Sequence, residues 1–140
     1  MDRILVIGDI HGGLRALHQV MERAKVTTND TLIFLGDYVD GWSESPQVIN
    51  YLIDLGKKQN CIFLRGNHDE LLLNWLEGNT KNFDEKMWYK HGGEATVLAY
   101  EKIAEATKKL HIDFLIDCSS SCISFYSVYS TSQWSSFIIY

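Results

Sequence analysis

The chain has 140 residues, 18 acidic against 13 basic side chains, and a formal net charge of −5. That length suits one domain with a sizeable core and excludes a multidomain protein. An acidic balance without a basic cluster gives no electrostatic reason to expect a nucleic acid polymer or an anionic membrane as partner, so a negative substrate must be held locally.

Arg3 to Ile7 reads as a first strand closed by Gly8, and Leu14 to Ala24 carries Leu14, Leu17, Val20 and Met21 at helical spacing. After a polar turn at residues 26–30, Leu32 to Leu35 is a second strand. Its unbroken apolar run suits a strand covered on both faces. Ser43-Glu44-Ser45-Pro46 opens a helix with proline in its first turn, and Val48, Ile49, Leu52, Ile53 and Leu55 form the buried face. Gly56 with Lys57 and Lys58 ends it. Cys61 to Leu64 is strand three, and Leu71 to Leu76 continues as a helix that Gly78-Asn79 stops. Three strand-loop-helix units in succession predict an α/β fold with parallel strands and right-handed crossovers.

Downstream, residues 82–89 read as a short helix or irregular cover with Phe83, Met87 and Trp88 turned inward. Gly93 to Leu110 reads as one amphipathic helix, and Ile112 to Asp117 as the start of another strand. From Cys118 to Tyr140 there is no Asp, Glu, Lys or Arg, only serine, aromatic and aliphatic residues with few exceptions. Hydroxyls interrupt every apolar run, which is too polar for a membrane helix but has the profile of an aggregation-prone strand. Met1 to Val6 lacks the basic region and long apolar core of a signal peptide. Three irregularly spaced cysteines make no disulfide framework, so a cytoplasmic, reducing address is expected. Cys118-x-x-x-Cys122 lacks a second ligand pair and reads as ordinary burial.

The chemistry gathers at the three strand ends, in Gly8-Asp9-Ile10-His11-Gly12, Gly36-Asp37-Tyr38-Val39-Asp40 and Arg65-Gly66-Asn67-His68-Asp69. Asp9 and His11 can reach one cation if their loop turns. Asp37 has two oxygens, enough to bridge two ions, and Asn67 adds a neutral oxygen. Carboxylate, amide and imidazole together suit Mn²⁺, Fe²⁺ or Zn²⁺ better than a soft metal or a calcium cage, and predict a site for two divalent metal ions. Any one motif alone is compatible with plain turn residues. All three in order are not.

These motifs closely resemble those of the calcineurin-like metallophosphoesterases, in the branch of phosphoprotein phosphatases and related bacterial enzymes, over Ile4 to about Leu76, with weaker similarity to His91-Gly92-Gly93. The resemblance implies the N-terminal half of a metallophosphoesterase sandwich, with an incomplete core at residues 1–117 and a divergent tail at 118–140. It places Asp9 and His11 on a first metal, Asp37 bridging, and Asn67 on a second, with Mn²⁺ preferred over Fe²⁺ or Zn²⁺. His68 would be the general acid, oriented by Asp40. The reaction implied is hydrolysis of a phosphomonoester, such as phosphoserine or phosphothreonine or a small or nucleotide phosphoester, through in-line attack by a metal-bridging hydroxide.

Three departures stand against the family pattern. Gly41 occupies the place of an arginine that clamps substrate phosphate, with Trp42 beside it as a conceivable stacking surface. Asp69 replaces a glutamate. The C-terminal histidine motifs that complete the second metal are missing, because His18 and His111 read as solvated and packed residues. Arg65, as a replacement anion clamp, and His91, before its glycine pair, are the candidate substrate contacts. The competing expectation is a truncated or frame-shifted fragment without activity and with an incomplete second metal site. A partner-binding module docking through the tail is a third.

Overall fold

The structure is a computed structural model that describes residues 3–79, 81 and 83–118. Strands β1 (Ile4–Ile7), β2 (Thr31–Phe34) and β3 (Cys61–Phe63) alternate with α1 (Leu14–Arg23), α2 (Ser45–Gly56) and α3 (Asn67–Leu76). A short α4 (Glu85–Trp88) runs into a kinked turn at Tyr89–Gly93, followed by α5 (Glu94–Tyr100) and α6 (Glu105–Asp117). Among the described residues the strands form one parallel sheet in the order β1-β2-β3, with Leu5 opposite Leu32 and Ile33 opposite Ile62. The α/β reading from strand-loop-helix units holds.

The central strand explains the architecture. Leu32, Ile33 and Phe34 are all buried, so both faces of β2 are covered, and each such side chain contributes roughly 1.5–3 kcal/mol relative to exposure. Leu17 of α1, Val48, Ile49 and Leu52 of α2, and Leu72 and Leu73 of α3 join the same core. Leu35, read from the sequence as strand, is 44% exposed and already lies in the loop.

Two expectations for the C-terminal region fail. Residues 112–117 are helix, not strand, because the side chains that go inward, His111 and Leu115, are four residues apart, while Leu110 and Ile116 face solvent. Isoleucine content suggested a strand, but the burial period is helical. The single helix expected over residues 93–110 is two, separated by a turn at Glu101–Ala104 in which Ala104 is extended. Met87, expected inward, is half exposed, as is Leu98 on α5, whereas Trp88 is buried as expected. Cys118 is buried and its thiol is pushed up to about 12 by burial, as suits a packed residue. Cys122 and the rest of the uncharged segment lie outside the described residues.

Three buried polar groups tie the elements together. Arg3 grips Asp30 with Nε and Nη2, at 2.8 and 2.6 Å, joining the start of β1 to the start of β2 and holding the Asp30 carboxyl well below the usual range. His111 on α6 is fully buried between Tyr100 Oη, 2.8 Å from Nδ1, and Asn50 Oδ1, 2.8 Å from Nε2. An amide oxygen only accepts, so Nε2 carries the hydrogen and Nδ1 takes the tyrosine's, which fully satisfies the neutral ring. Asp69, at the third position of α3, accepts from the Gly66 N–H at 2.9 Å, the reverse half of a capping box; glycine has no side chain to supply the other half. The same carboxylate accepts the N–H of Asp37 at 2.7 Å and of Tyr38 at 2.8 Å. Burial pushes Asp69 up to about 7 while its three donors pull it back down.

Two consequences are measurable. Burial lowers His111 from 6.5 to about 4, so the folded state holds its proton less firmly than the unfolded chain does. Its stabilising effect is complete above about pH 6.5 and is lost as pH falls toward 4, on the order of 2–3 kcal/mol across that window, with Asp30 extending the loss to lower pH. Urea midpoints followed against pH should show this slope, and His111→Gln should flatten it between 6.5 and 4. Replacing Asp69 with asparagine turns an amide NH₂ against N–H donors. Asp69→Asn should therefore cost about 3 kcal/mol in urea unfolding, whereas a loss under about 0.5 kcal/mol would show that the loops are held by other means.

Candidate active site

The loops after β1 and β2 are joined through backbone. The N–H groups of Ile10 and His11 both donate to Asp37 O, at 3.0 and 2.9 Å, and Gly12 N–H donates to Tyr38 O at 2.8 Å. Trp42 N–H then returns to His11 O. The third loop joins through side chains, by Asp69 as above and by the His68 N–H, which donates to Asp37 Oδ1 at 3.0 Å. Such close joining holds an unfavourable backbone. His11, Asp37 and Asp40 have φ of 48°, 53° and 73°, left-handed values that cost non-glycine residues roughly 1–3 kcal/mol each and cluster where function requires them.

In that arrangement His11, Asp37 and His68 each present a ligand atom within 4.8 Å of the others. The two imidazoles meet edge to face, with ring centroids 4.9 Å apart. His11 Nδ1 lies 3.0 Å from Val39 O, and a carbonyl only accepts, so the hydrogen is on Nδ1 and Nε2 is left with its lone pair outward. This is how a metal-binding histidine is usually oriented from behind. Two imidazoles and a carboxylate from separate loops fit a borderline divalent cation. Asp9 stands outside this triad; its side chain is 65% exposed, with Oδ2 3.7 Å from His11 Nε2. Asn67 is exposed at the first residue of α3, next to His68.

His68 has a second anchor. Its Nδ1 is 2.7 Å from Asp40 Oδ2, the pairing anticipated from the motifs. Asp40 is fully buried, its Oδ1 without a partner among the described residues. Its N–H is shared between Ser45 Oγ at 3.2 Å and Thr96 Oγ1 at 3.0 Å, and its Oδ2 also accepts from the Trp88 indole Nε1–H. Ser45, Thr96 and Trp88 were missed as site residues. The buried serine at the start of α2 offered a faint signal, but nothing local links Asp40 to residues 48 and 56 positions away.

The remaining candidates lie around this centre, and Arg65 does not act as the anion clamp expected of it. Arg65 is committed to the fold, with Nε 2.8 Å from Glu70 Oε2 and Nη1 donating to Leu115 O at 2.8 Å. His91 is exposed within the kinked turn. His18 is exposed and meets Tyr51 edge to face, and His111 packs in the core. Gly41 has a φ of +89°, where an arginine would be strained, so the missing phosphate clamp goes with the local backbone; Trp42 beside it is 71% exposed.

Known proteins are similar to this chain. A tetraphosphatase of Oceanobacillus iheyensis, bis(5'-nucleosyl)-tetraphosphatase PrpE [asymmetrical], is 28% identical over 112 residues, 74% of this chain and 42% of its own length. The enzyme of the same name from Anoxybacillus flavithermus is 32% identical over 115 residues, 74% of this chain and 43% of its own. The chain thus spans less than half the length of these relatives. Among solved structures, one provisionally described as a diadenosine tetraphosphatase superposes with a TM-score of 0.56 at 23% identity, over 83% of this chain and 46% of that one. Protein PH1004 of Pyrococcus horikoshii gives 0.57 at 18% identity, over 85% and 48%. Both confirm the fold. Residues 2–128 match the family model described as calcineurin-like phosphoesterase, a family that implies divalent metal ions. The converging loops thus have their counterpart in a sequence match over nearly the whole chain, and the chain belongs to the calcineurin-like phosphoesterase family.

Proposed function

We propose that this chain carries the reaction centre of a metal-dependent phosphoric ester hydrolase acting on a small phosphorylated substrate. The observation that carries the reading is the convergence of His11, Asp37 and His68 beside a buried Asp40–His68 pair. The names of the relatives favour a dinucleoside polyphosphate over phosphoserine or phosphothreonine. Asp9, His11, Asp37 and Asn67 are the proposed ligands of two divalent ions, with Mn²⁺ the first choice. Bound divalent cations would supply Lewis acidity toward the phosphoryl oxygens and the attacking water.

The remaining steps belong to the protein. Asp40 fixes the hydrogen of His68 on Nδ1 and aims Nε2 away from the carboxylate. A proton on Nε2 passes to the leaving oxygen as its bond to phosphorus breaks, while water forms the new P–O bond from the opposite side and releases a proton to solvent, from which His68 is reprotonated. Help of this kind is worth about 10²–10⁴-fold, most for leaving groups that are poor anions. Arg65, engaged with Glu70 and Leu115, has a structural role in this scheme, and His91 remains the proposed rim contact. The free thiol of Cys61 fits the proposed cytoplasmic setting, and no helix among the described residues is long and apolar enough to cross a membrane.

The donor triad also supports a second reading. A carboxylate behind a histidine is the usual arrangement for a metal ligand, so His68 could bind the cation itself. One set of measurements separates the two. Protein reconstituted with Mn²⁺ should hydrolyse 4-nitrophenyl phosphate and diadenosine tetraphosphate, lose both activities with chelator, and lose at least about 10²-fold in kcat on Asp37→Asn. His68→Ala should keep its metal content by elemental analysis and lose most on the poorest leaving groups. Loss of metal would make His68 a ligand. No turnover with any divalent metal, and at most one weakly held ion per chain, would favour the inactive-fragment expectation.

A further inference from the structure

Asp40 is the buried acid of the pair, and a group outside the three motifs completes its surroundings. The Trp88 indole Nε1–H donates to Asp40 Oδ2 at 2.5 Å, the same oxygen that faces His68 Nδ1 at 2.7 Å. Trp88 is 2% exposed, between Phe83, Trp75 and Tyr89. The kinked turn after it fits both partners. At Gly93 a Cβ would come within 2.5 Å of the indole ring, so the backbone lies flat against it. At Gly92, with φ of +98°, a Cβ would come within 2.5 Å of Gly41 N, whose N–H donates to Gly92 O at 3.1 Å. One short segment therefore seats the indole and the turn that follows Asp40.

We propose that Trp88 is a positioning residue of the hydrolytic site: its indole N–H sets the orientation of the Asp40 carboxylate, and through it the imidazole of His68. The physical reason is the geometry of one oxygen with two donors. A carboxylate can rotate about its Cβ–Cγ bond, and with Oδ1 unpartnered, His68 alone would leave that rotation weakly defined. The rigid, fully packed indole fixes the second direction of approach, and the imidazole must then meet the oxygen from the remaining side. Ser45 and Thr96 secure the backbone N–H of the same residue but not its carboxylate. The indole is thus the only described group besides His68 that bonds the carboxylate itself.

This inference rests on the general-acid reading of His68, and the experiment distinguishes failure of either. Trp88→Phe keeps a buried ring and removes the donor; replacing Trp88 with benzothienylalanine, in which sulfur takes the place of the N–H, keeps the full shape. Both are compared with the wild-type full chain on aryl phosphates from 4-nitrophenyl to phenyl phosphate. The expected result is a kcat/KM loss of at least about 10-fold on phenyl phosphate, expressed in kcat, and under about 2-fold on 4-nitrophenyl phosphate, with unchanged metal content and no further loss in a His68→Ala background. Equal losses across the series, or none with the isostere, would overturn the proposal and leave the hydrolase reading intact. A parallel measurement needs no turnover. In metal-free ¹⁵N-labelled chain, the Trp88 indole resonance should shift on Asp40→Asn, and the single Nδ1–H form of His68 should give way to a mixture in the isostere. An indole resonance indifferent to Asp40→Asn would overturn the proposal even if the wild type hydrolyses every ester.

Discussion

Three backbone N–H groups, from Asp37, Tyr38 and Gly66, converge on one buried carboxylate, and the rest of the site depends on that convergence. Asp69 is a helix residue in its sequence position and a loop clamp in its action. By accepting from both the start of the second loop and the residue that precedes α3 it sets the distance between two of the three motifs. The left-handed backbone of Asp37 is then affordable, because the folded state leaves it no alternative partners. The His68 N–H, donating to Asp37 Oδ1, closes the same joint from the other side. In the motif that the resemblance rests on, this aspartate stands in place of a glutamate. In the fold it is a short side chain reaching three donors at once.

What was legible in the sequence is what is encoded locally. Apolar runs broken by glycine mark strand ends, and in a parallel sheet successive strand ends lie on one edge, so motifs 28 or so residues apart are brought together by topology alone. That is why Asp37 could be grouped with His11 from the sequence, while the Asp40–His68 pair was what the resemblance implied and the cation-facing place of His68 was not anticipated. What was not legible depends on contacts between distant segments. Nothing around Trp88 or Thr96 indicates that they reach Asp40, because the bonds follow from a kink that two glycines permit and from the packing of α5 against α2. The strand expected at residues 112–117 failed for a related reason. Isoleucines at 112 and 116 match either period, and only the burial of His111 and Leu115 settles it.

Two histidines at this centre look alike and are held differently. His11 gives its Nδ1 hydrogen to a backbone carbonyl, whereas His68 gives its own to a buried acid. A carbonyl orients a ring without adding a charge. A carboxylate orients it and adds one, within a setting where Asp40 is wholly removed from water. The difference is one of surroundings: one ring is backed by a neutral carbonyl and the other by a buried carboxylate, which suits the separate roles proposed for them.

The two acids of the second loop, three residues apart, are held by different elements except for His68, which contacts both. Asp37 is held by elements close to it in the sheet: its carbonyl by the first loop, its N–H by Asp69, and its carboxylate by the backbone of His68. Asp40 is held by elements that come later, its N–H by Ser45 and Thr96, its carboxylate by Trp88, and the peptide that follows by Gly92. Changes between residues 88 and 96 therefore bear first on the Asp40–His68 pair and reach His11 and Asp37 only through His68. His68 is the residue the two supports share, its N–H on Asp37 and its Nδ1 on Asp40, so the three-residue spacing couples both carboxylates through one residue.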